Sequence, residues 1–282
     1  VGFVIFAAVS LLSGIAFVMI VSHYYKTLNT VVFSHYAKKD YKMGVLKSSS
    51  PFMALYKKEF HRLSSCTIYA LNSCIGIVLL LVVASFAIFF MPSTLRQQVE
   101  VMEIMIVIQN IMPIALAIFV SITSTTAASL SLEGKNRWIM CSVPTQARTV
   151  YNSKIAVNLT VILPVLYISA ILIRIVIPCS LMQTVLMFVI PTVYAFFISV
   201  LGIYLNIKFP KYDWTSEYYA VKGGAISVLA TTLGGMASSL TPLYLCIIFP
   251  HYQMIIMLGI TCLILLATLV IYHKVCQIQL YV

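Results

Sequence analysis

Two carboxylates, Glu59 and Glu133, stand in strongly basic segments of a chain that has seven acidic residues against eighteen lysines and arginines. Such groups can form ion pairs or meet the charges of a partner protein, whereas catalysis needs a nucleophile and a base in defined geometry. The sequence has no Gly-x-Ser-x-Gly elbow and no phosphate-binding loop, because Gly134 and Lys135 are followed by Asn136 and lack the upstream glycine. These residues therefore predict docking and ion pairing, and we expect no enzymatic activity in this chain.

Glu59 lies in residues 48–65, a segment whose pattern predicts an amphipathic helix. Ser50 can cap this helix and Pro51 can be its first residue, and an apolar stripe runs opposite a basic side. A helix of this kind lies flat in the membrane interface. Glu59 falls inside the apolar stripe, a costly position for an unpaired carboxylate. We expect snorkelling, a pair with Arg62 one turn later, or a buried ion pair with another segment.

The second basic segment covers residues 131–154. Its pattern predicts a short helix that Ser131 caps, a break at Pro144, and a second helix that Thr145 caps. A short elbow of this form at a membrane surface could insert into a cleft of a soluble partner, whereas a solvated, lipid-facing loop is the alternative.

Glu133 is the only acid in that segment. It can pair with Lys135 or Arg137, or with the lysines of the 48–65 helix, and these alternatives remain open. Trp138 supplies an aromatic side chain beside the basic residues. The expected docking and coupling residues come from both basic segments: Lys57, Lys58, Glu59, Glu133, Lys135, Arg137 and Trp138.

The elements that position these residues are membrane helices. The chain has 282 residues, of which 61% are hydrophobic and 9% charged, and its mean hydropathy is +1.02. Apolar runs of about 20 residues predict helices, because backbone polar groups in hydrocarbon must be paired within the segment. We predict an all-α polytopic membrane protein with about seven transmembrane helices and one interfacial amphipathic helix. The predicted spans are 1–22, 68–91, 102–128, 155–177, 183–206, 225–249 and 253–272.

The distribution of lysine and arginine predicts the orientation. All of the eighteen except Arg96 and Arg174 fall on one side of the predicted spans. The positive-inside rule places that side, with the C-terminus, in the cytoplasm. The net charge of +11 then reflects topology and contact with anionic membrane lipids, and nucleic acid is not an expected partner.

The number of spans also predicts the domain organisation. Seven spans with a cytoplasmic C-terminus place Val1 outside, so we expect residues 1–22 to be a transmembrane helix of a missing N-terminal half. Residues 23–66 are then a cytoplasmic linker with the amphipathic helix, and residues 67–282 form a six-helix permease unit.

Polar residues within spans are the second set of candidates, since intramembrane polar groups often have a function. They are Asn72, Asn110, Asn158 and Arg174. No acid stands at the middle of a span, as an ion-coupled carrier would usually need. The seven cysteines and five histidines lack metal-ligand spacing, so we expect free thiols and no metal or cofactor in this chain.

Three segments carry a resemblance to a known group. They are SSPFMALYKKEFHRLSSCTIYALN (residues 49–72), SLEGKNRWIMCSVPTQARTVYNSKIAVNL (131–159) and LNIKFPKYDWTSEYYAVKGGAISV (205–228). In this order and spacing they resemble the type 2 ABC-exporter permeases, and within them a family of roughly twelve-helix ABC exporters from Gram-positive bacteria. The resemblance covers residues 48–282 and implies the C-terminal half of such a permease.

The resemblance implies an elbow helix at residues 51–63 and a coupling loop at residues 133–144. It implies an ABC ATPase subunit as partner, with ATP and Mg²⁺ on that subunit, and either the chain's own N-terminal half or a second permease copy. The expected mechanism is alternating access in a bacterial plasma membrane. Two other classes remain open: an ATP-independent secondary transporter, and a membrane-embedded enzyme that acts on lipid-linked substrates.

Overall fold

The computed structural model describes residues 11–12, 14–19, 21–23, 49–90, 99–222 and 225–279, without the side chains of residues 89–90 and 99–108. The chain divides into two compact units, Val1–Ser48 and Ser49–Val282. In the first unit the described residues are helical, and the predicted span at 1–22 lies partly outside them. Of the predicted linker and amphipathic helix at 23–66, residues 24–48 lie outside the described residues.

The described part of the second unit contains helices, joined by short irregular segments, and no strands. Its long helices are α2 (Thr67–Phe90), α3 (Val99–Ile122), α6 (Ala147–Val176), α7 (Leu181–Lys208), α9 (Ile226–Ile248) and α10 (Gln253–Gln277). Its short helices are α1 (Pro51–Ser65), α4 (Thr126–Ser129), α5 (Arg137–Ser142) and α8 (Glu217–Val221), with 3₁₀ turns at Ser131–Asn136 and Pro250–Tyr252. Six segments of the described chain are long and apolar enough to cross a membrane. The prediction of an all-α polytopic membrane protein is confirmed.

The predicted span boundaries differ most from the structure at two places. The span at 102–128 is wrong at its end, because α3 stops at Ile122 and a separate short helix follows. The span at 155–177 begins too late, because α6 starts at Ala147. The polar residues in the first turns of α6 lower its hydropathy, so these turns were left out of the predicted span. Lys154 and its neighbours are nevertheless helical and buried.

Helix α7 and the segment from α3 to α5 form the centre of the bundle. In each of these two spans 67% of the most apolar 18-residue stretch is buried, against 22% to 33% in the other four spans. Helix α7 packs against α3, α6, α9 and α10. Fully buried side chains such as Ile114, Leu166, Met187 and Ile198 fill the core around it. The remaining helices therefore expose much of their apolar surface, as lipid-facing helices do.

Helix α1 begins as its sequence predicts. The Ser50 hydroxyl accepts a hydrogen bond from the Met53 N–H (3.4 Å), and Pro51 is the first helical residue. The helix buries Glu59 and Leu63. A row of aromatic rings lies along the same side of the helix, stacked with centroids 6.4 and 6.2 Å apart: Phe52, Tyr56 and Phe60. The helix is thus amphipathic, with one face packed on the bundle.

Candidate functional site

Four charged side chains from three elements meet where α1 packs against the bundle. We call them the buried charge cluster: Glu59 and Arg62 of α1, Glu133 of the 3₁₀ turn, and Lys154 of α6. The Lys154 Nζ lies 2.7 Å from Glu59 Oε2 and 3.3 Å from Glu133 Oε1, and donates to the Ser129 carbonyl at 3.1 Å. Glu59, Glu133 and Lys154 are 2%, 5% and 3% exposed. One ammonium group thus holds two carboxylates from different segments.

Arg62 completes the charge balance of the cluster. Its Nη2 donates to Glu133 Oε2 at 2.8 Å, and its Nη1 lies 3.6 Å from Glu59 Oε2. Burial alone would lower the pKa of Arg62, but the hydrogen bond to Glu133 and the charges of both carboxylates outweigh burial and raise it. The more exposed Lys58 adds a contact of 2.9 Å to Glu133. The four cluster members therefore carry two negative and two positive charges, which makes their burial tolerable.

Tyr69 of α2 connects the cluster to the interrupted end of α3. Its hydroxyl donates to the Thr125 carbonyl (2.9 Å) and lies 3.3 Å from Glu59 Oε1. The Thr125 N–H and hydroxyl both donate to Asn158 Oδ1, at 2.8 and 3.0 Å. Asn158 Nδ2 in turn donates to Ser199 of α7 at 2.7 Å. The predicted polar residue Asn158 thus pairs a backbone N–H, that of Thr125, at the helix break.

Asn206 of α7 supports the next residues of the interrupted segment in the same way. Its Oδ1 accepts from the N–H groups of Leu130 (2.7 Å) and Ser131 (3.1 Å). Its Nδ2 donates to the hydroxyls of Ser131 (2.8 Å) and Ser227 (3.0 Å). The Ser227 hydroxyl donates to the Ala127 carbonyl at 2.8 Å. Asn206 was not among the predicted candidates, although a lone asparagine near the end of an apolar run was a signal for it.

The surface elbow, residues 135–144, follows the cluster directly. Its exposed side chains include Lys135, Trp138, Ile139 and Val143, and the exposed fraction of Trp138 is 56%. Large apolar side chains beside lysine and arginine form a surface that suits a protein or membrane contact.

The chain between α7 and α8 packs beneath the surface elbow. The Trp214 Nε1 donates to the Ser131 carbonyl at 2.8 Å, and the Arg137 guanidinium lies 4.4 Å from the centre of the Tyr212 ring. Gly134 has a φ of 54°, and a Cβ there would lie 2.9 Å from the Trp214 ring. The aromatic side chains of this connection therefore pack against the start of the elbow and the turn that precedes it.

The structure divides the seven docking candidates by exposure. Glu59 and Glu133 are buried and interact within the chain, whereas the other five are exposed or half-buried: Lys57, Lys58, Lys135, Arg137 and Trp138. Two of the alternatives left open for Glu59 are both present: it lies close to Arg62 one turn later, and it forms a buried ion pair with Lys154 of α6. Among the partners considered for Glu133, the structure shows Lys58 of α1.

The expected helix caps of the second basic segment are wrong. The Ser131 hydroxyl accepts from Asn206 and from the Lys211 N–H. Gln146, and not Thr145, precedes the first residue of α6. The sequence pattern could not show that the Ser131 hydroxyl accepts hydrogen bonds from residues more than seventy positions away.

The other three intramembrane candidates lie apart from the cluster. Asn72 donates to the Ile68 carbonyl of its own helix at 2.9 Å. Asn110 accepts from Gln183 Nε2 at 2.7 Å beside a cavity of about 350 Å³, and Arg174 Nε donates to Thr184 at 3.0 Å. Asn110 and Arg174 lie at the opposite end of the bundle from α1, so only Asn158 belongs to the network described above.

Among the described side chains, no group of three or more His, Cys, Asp and Glu is placed to hold a metal ion. None of the seven cysteines, all of which are described, forms a disulfide. No protein-family model matches the chain, and comparisons with curated proteins and with solved structures gave no match.

Proposed function

We propose that this protein is the membrane-spanning permease subunit of an ATP-driven exporter, and that a separate ATPase subunit docks at the α1 end of the bundle. The observation that supports this function is the buried charge cluster. It joins two surface elements, α1 and the turn that leads into the surface elbow, to a helix that crosses the membrane. The lysines and arginines of this end favour a cytoplasmic location, where ATP is available.

The cluster suits the transmission of movement. Separating a buried ion pair costs about 3–5 kcal/mol, so α1, the 3₁₀ turn and α6 move together more readily than they come apart. A partner that displaces the surface elbow would thus displace the first turns of α6, and the amide contacts of Asn158 and Asn206 would carry that displacement to α7. Helices that shift as rigid bodies in this way can alternate access to the two sides of a membrane.

The experiment is a pull-down of the protein from its native membranes in mild detergent, with mass spectrometry of what co-purifies. We expect a stoichiometric ATP-hydrolysing protein that is recovered with the wild type and lost with Trp138→Ala. The matched control is Tyr244→Ala, which removes an exposed aromatic ring on α9, away from the elbow. Recovery of no ATPase even after crosslinking, or equal recovery with Trp138→Ala, would overturn the proposal.

A proton-coupled carrier is the second candidate, because Glu59, Glu133 and Lys154 are titratable groups buried in a membrane protein. Such groups can relay protons in transporters. Transport that stops with a protonophore and persists without ATP would support this candidate. Transport that requires ATP hydrolysis and ignores the protonophore would exclude it.

A further inference from the structure

A groove separate from the charge cluster opens between four helices. Its volume is about 380 Å³, within the range of small-molecule sites. Helices α6, α7 and α10 and the start of α1 supply its lining, which includes Ile155, Leu159, Phe196, Leu269 and Phe52. The groove is open on the side where Phe196 and Leu269 are 43% and 57% exposed. Its occupant must therefore be apolar over most of its length and must enter from the lipid.

Polar groups lie at one end of this groove. The Tyr272 hydroxyl donates to Asn152 Oδ1 at 3.0 Å, and both residues line the groove. The guanidinium of the exposed Arg148 lies beside Tyr272. Asn152 and Arg148 are in the first turns of α6, whereas Leu159 lies deeper along the same helix. The groove thus has an apolar body and a cationic, hydrogen-bonding rim.

We propose that this groove binds an anionic phospholipid, with one acyl chain along Leu159 and Leu269 and the phosphate at Arg148. The charge of the rim supports this ligand class, because Arg148 is exposed beside Tyr272 at the end of the bundle where lysine and arginine concentrate. The positive-inside rule places that end at the cytoplasmic leaflet, where anionic lipids concentrate. Phe52 belongs to α1, so a bound chain contacts the same helix that the charge cluster holds. The lipid therefore stabilises α1 against the bundle. This inference does not depend on the identity of the energy source for transport.

The test uses the purified full chain and a phosphatidylglycerol that carries a photoreactive diazirine in one acyl chain. Labelled peptides are mapped by mass spectrometry. We expect labelling of the α6 and α10 peptides that contain Leu159 and Leu269, and loss of it when Ala156→Trp or Leu269→Trp fills the groove from opposite walls. Ile168→Trp is the control, because Ile168 is 52% exposed on α6 outside the groove. Size-exclusion profiles and melting temperatures establish that each variant is folded.

The headgroup is tested by competition with unlabelled phosphatidylglycerol and phosphatidylcholine. Phosphatidylglycerol should compete better, and Arg148→Gln should reduce that preference about fivefold, the factor that one charge near an anionic leaflet supplies. Labelling spread evenly over exposed helix faces, labelling that survives both groove-filling variants, or equal competition by the two lipids would each overturn the proposal.

Discussion

At the scale of single residues, Lys154 makes the most consequential interactions. It is 3% exposed and contacts both buried carboxylates. The cost of Glu59 in an apolar stripe was visible in the sequence, and so was its need for a partner. The identity of Lys154 as that partner was not, because ninety-five residues separate the two in the chain.

Replacing Lys154 with methionine should destabilise the protein by about 3–5 kcal/mol, because two carboxylates then lose their shared buried cation. The measurement is the apparent melting temperature in detergent. Lys57→Met is the control, because Lys57 is exposed on α1 and should change stability by no more than about 0.5 kcal/mol. Adding Glu133→Gln to Lys154→Met should recover some of the loss. Equal melting temperatures for the two lysine variants would contradict this role.

Replacing Asn206 with leucine removes the acceptor for the N–H groups of Leu130 and Ser131. Each buried donor left without a partner costs about 1–3 kcal/mol, so the melting temperature should fall clearly. Asn72→Leu is the matched control, because the Asn72 amide donates to a carbonyl of its own helix. If Asn72→Leu were as destabilising as Asn206→Leu, the support of the helix break by Asn206 would be refuted.

The buried environment of Cys66 predicts that the labelling of its thiol depends on pH. Burial raises the pKa of the Cys66 thiol to about 11, and the hydrogen bond that it donates to Glu217 at 2.8 Å adds to the rise. The thiolate is the reactive form, so maleimide labelling of Cys66 should be slow at pH 7 and should accelerate up to about pH 11. Glu217→Gln removes the adjacent charge and should increase the rate at pH 8. A rate that is independent of pH and of Glu217→Gln would count against this environment.

At the scale of elements, the interruption after α3 distinguishes this bundle from a simple set of straight helices. The chain from Thr123 to Gly134 is buried although it is irregular, and α7 packs tightly against it. A Cβ at Gly202 would overlap Thr126 Oγ1 and lie 2.7 Å from Ser124 Oγ. Close approach at this glycine is what lets Asn206, one turn later on α7, reach the backbone of the interrupted segment.

Gly202→Ala should therefore lower the melting temperature, since the added methyl group must displace the segment from Ser124 to Ala127. Gly259→Ala should instead raise the melting temperature. A Cβ at Gly259 in α10 meets no atom within 4 Å, so alanine should stabilise the helix by about 0.5–1 kcal/mol. A higher melting temperature for Gly202→Ala than for Gly259→Ala would contradict the packing described here.

Sequence signals within one helical turn predicted some helix ends correctly. They failed at the helix ends that contacts with residues distant in the chain determine. Ser50 and Pro51 predicted the start of α1 because a helix cap depends on residues within one turn. The end of α3 was predicted too late, because hydropathy cannot show that Asn158 pairs the Thr125 backbone and so permits a break. The start of α8 depends on distant groups too: Ser216 immediately precedes α8, while the nearby Trp214 donates to the Ser131 carbonyl.

At the scale of the whole molecule, the composition sufficed to predict a polytopic helical fold. Segments that the sequence pattern assigned to a surface loop proved to be partly interior. Glu133 was a docking candidate because it stands among basic residues, yet it lies 5% exposed beneath α1. In the proposed complex the docking contacts would come from its exposed neighbours on the surface elbow, and Glu133 connects that elbow to the membrane helices.

The most direct test of this connection is ATP-dependent accessibility at the far end of the bundle. Asn110→Cys, in a background without the seven native cysteines, is labelled in the proposed complex with an ATPase subunit, with and without ATP. We predict that ATP changes the labelling rate at this position, and that Lys154→Met abolishes the change while the ATPase remains bound. An ATP-dependent change that persists unaltered in Lys154→Met would contradict the role of the buried charge cluster in coupling.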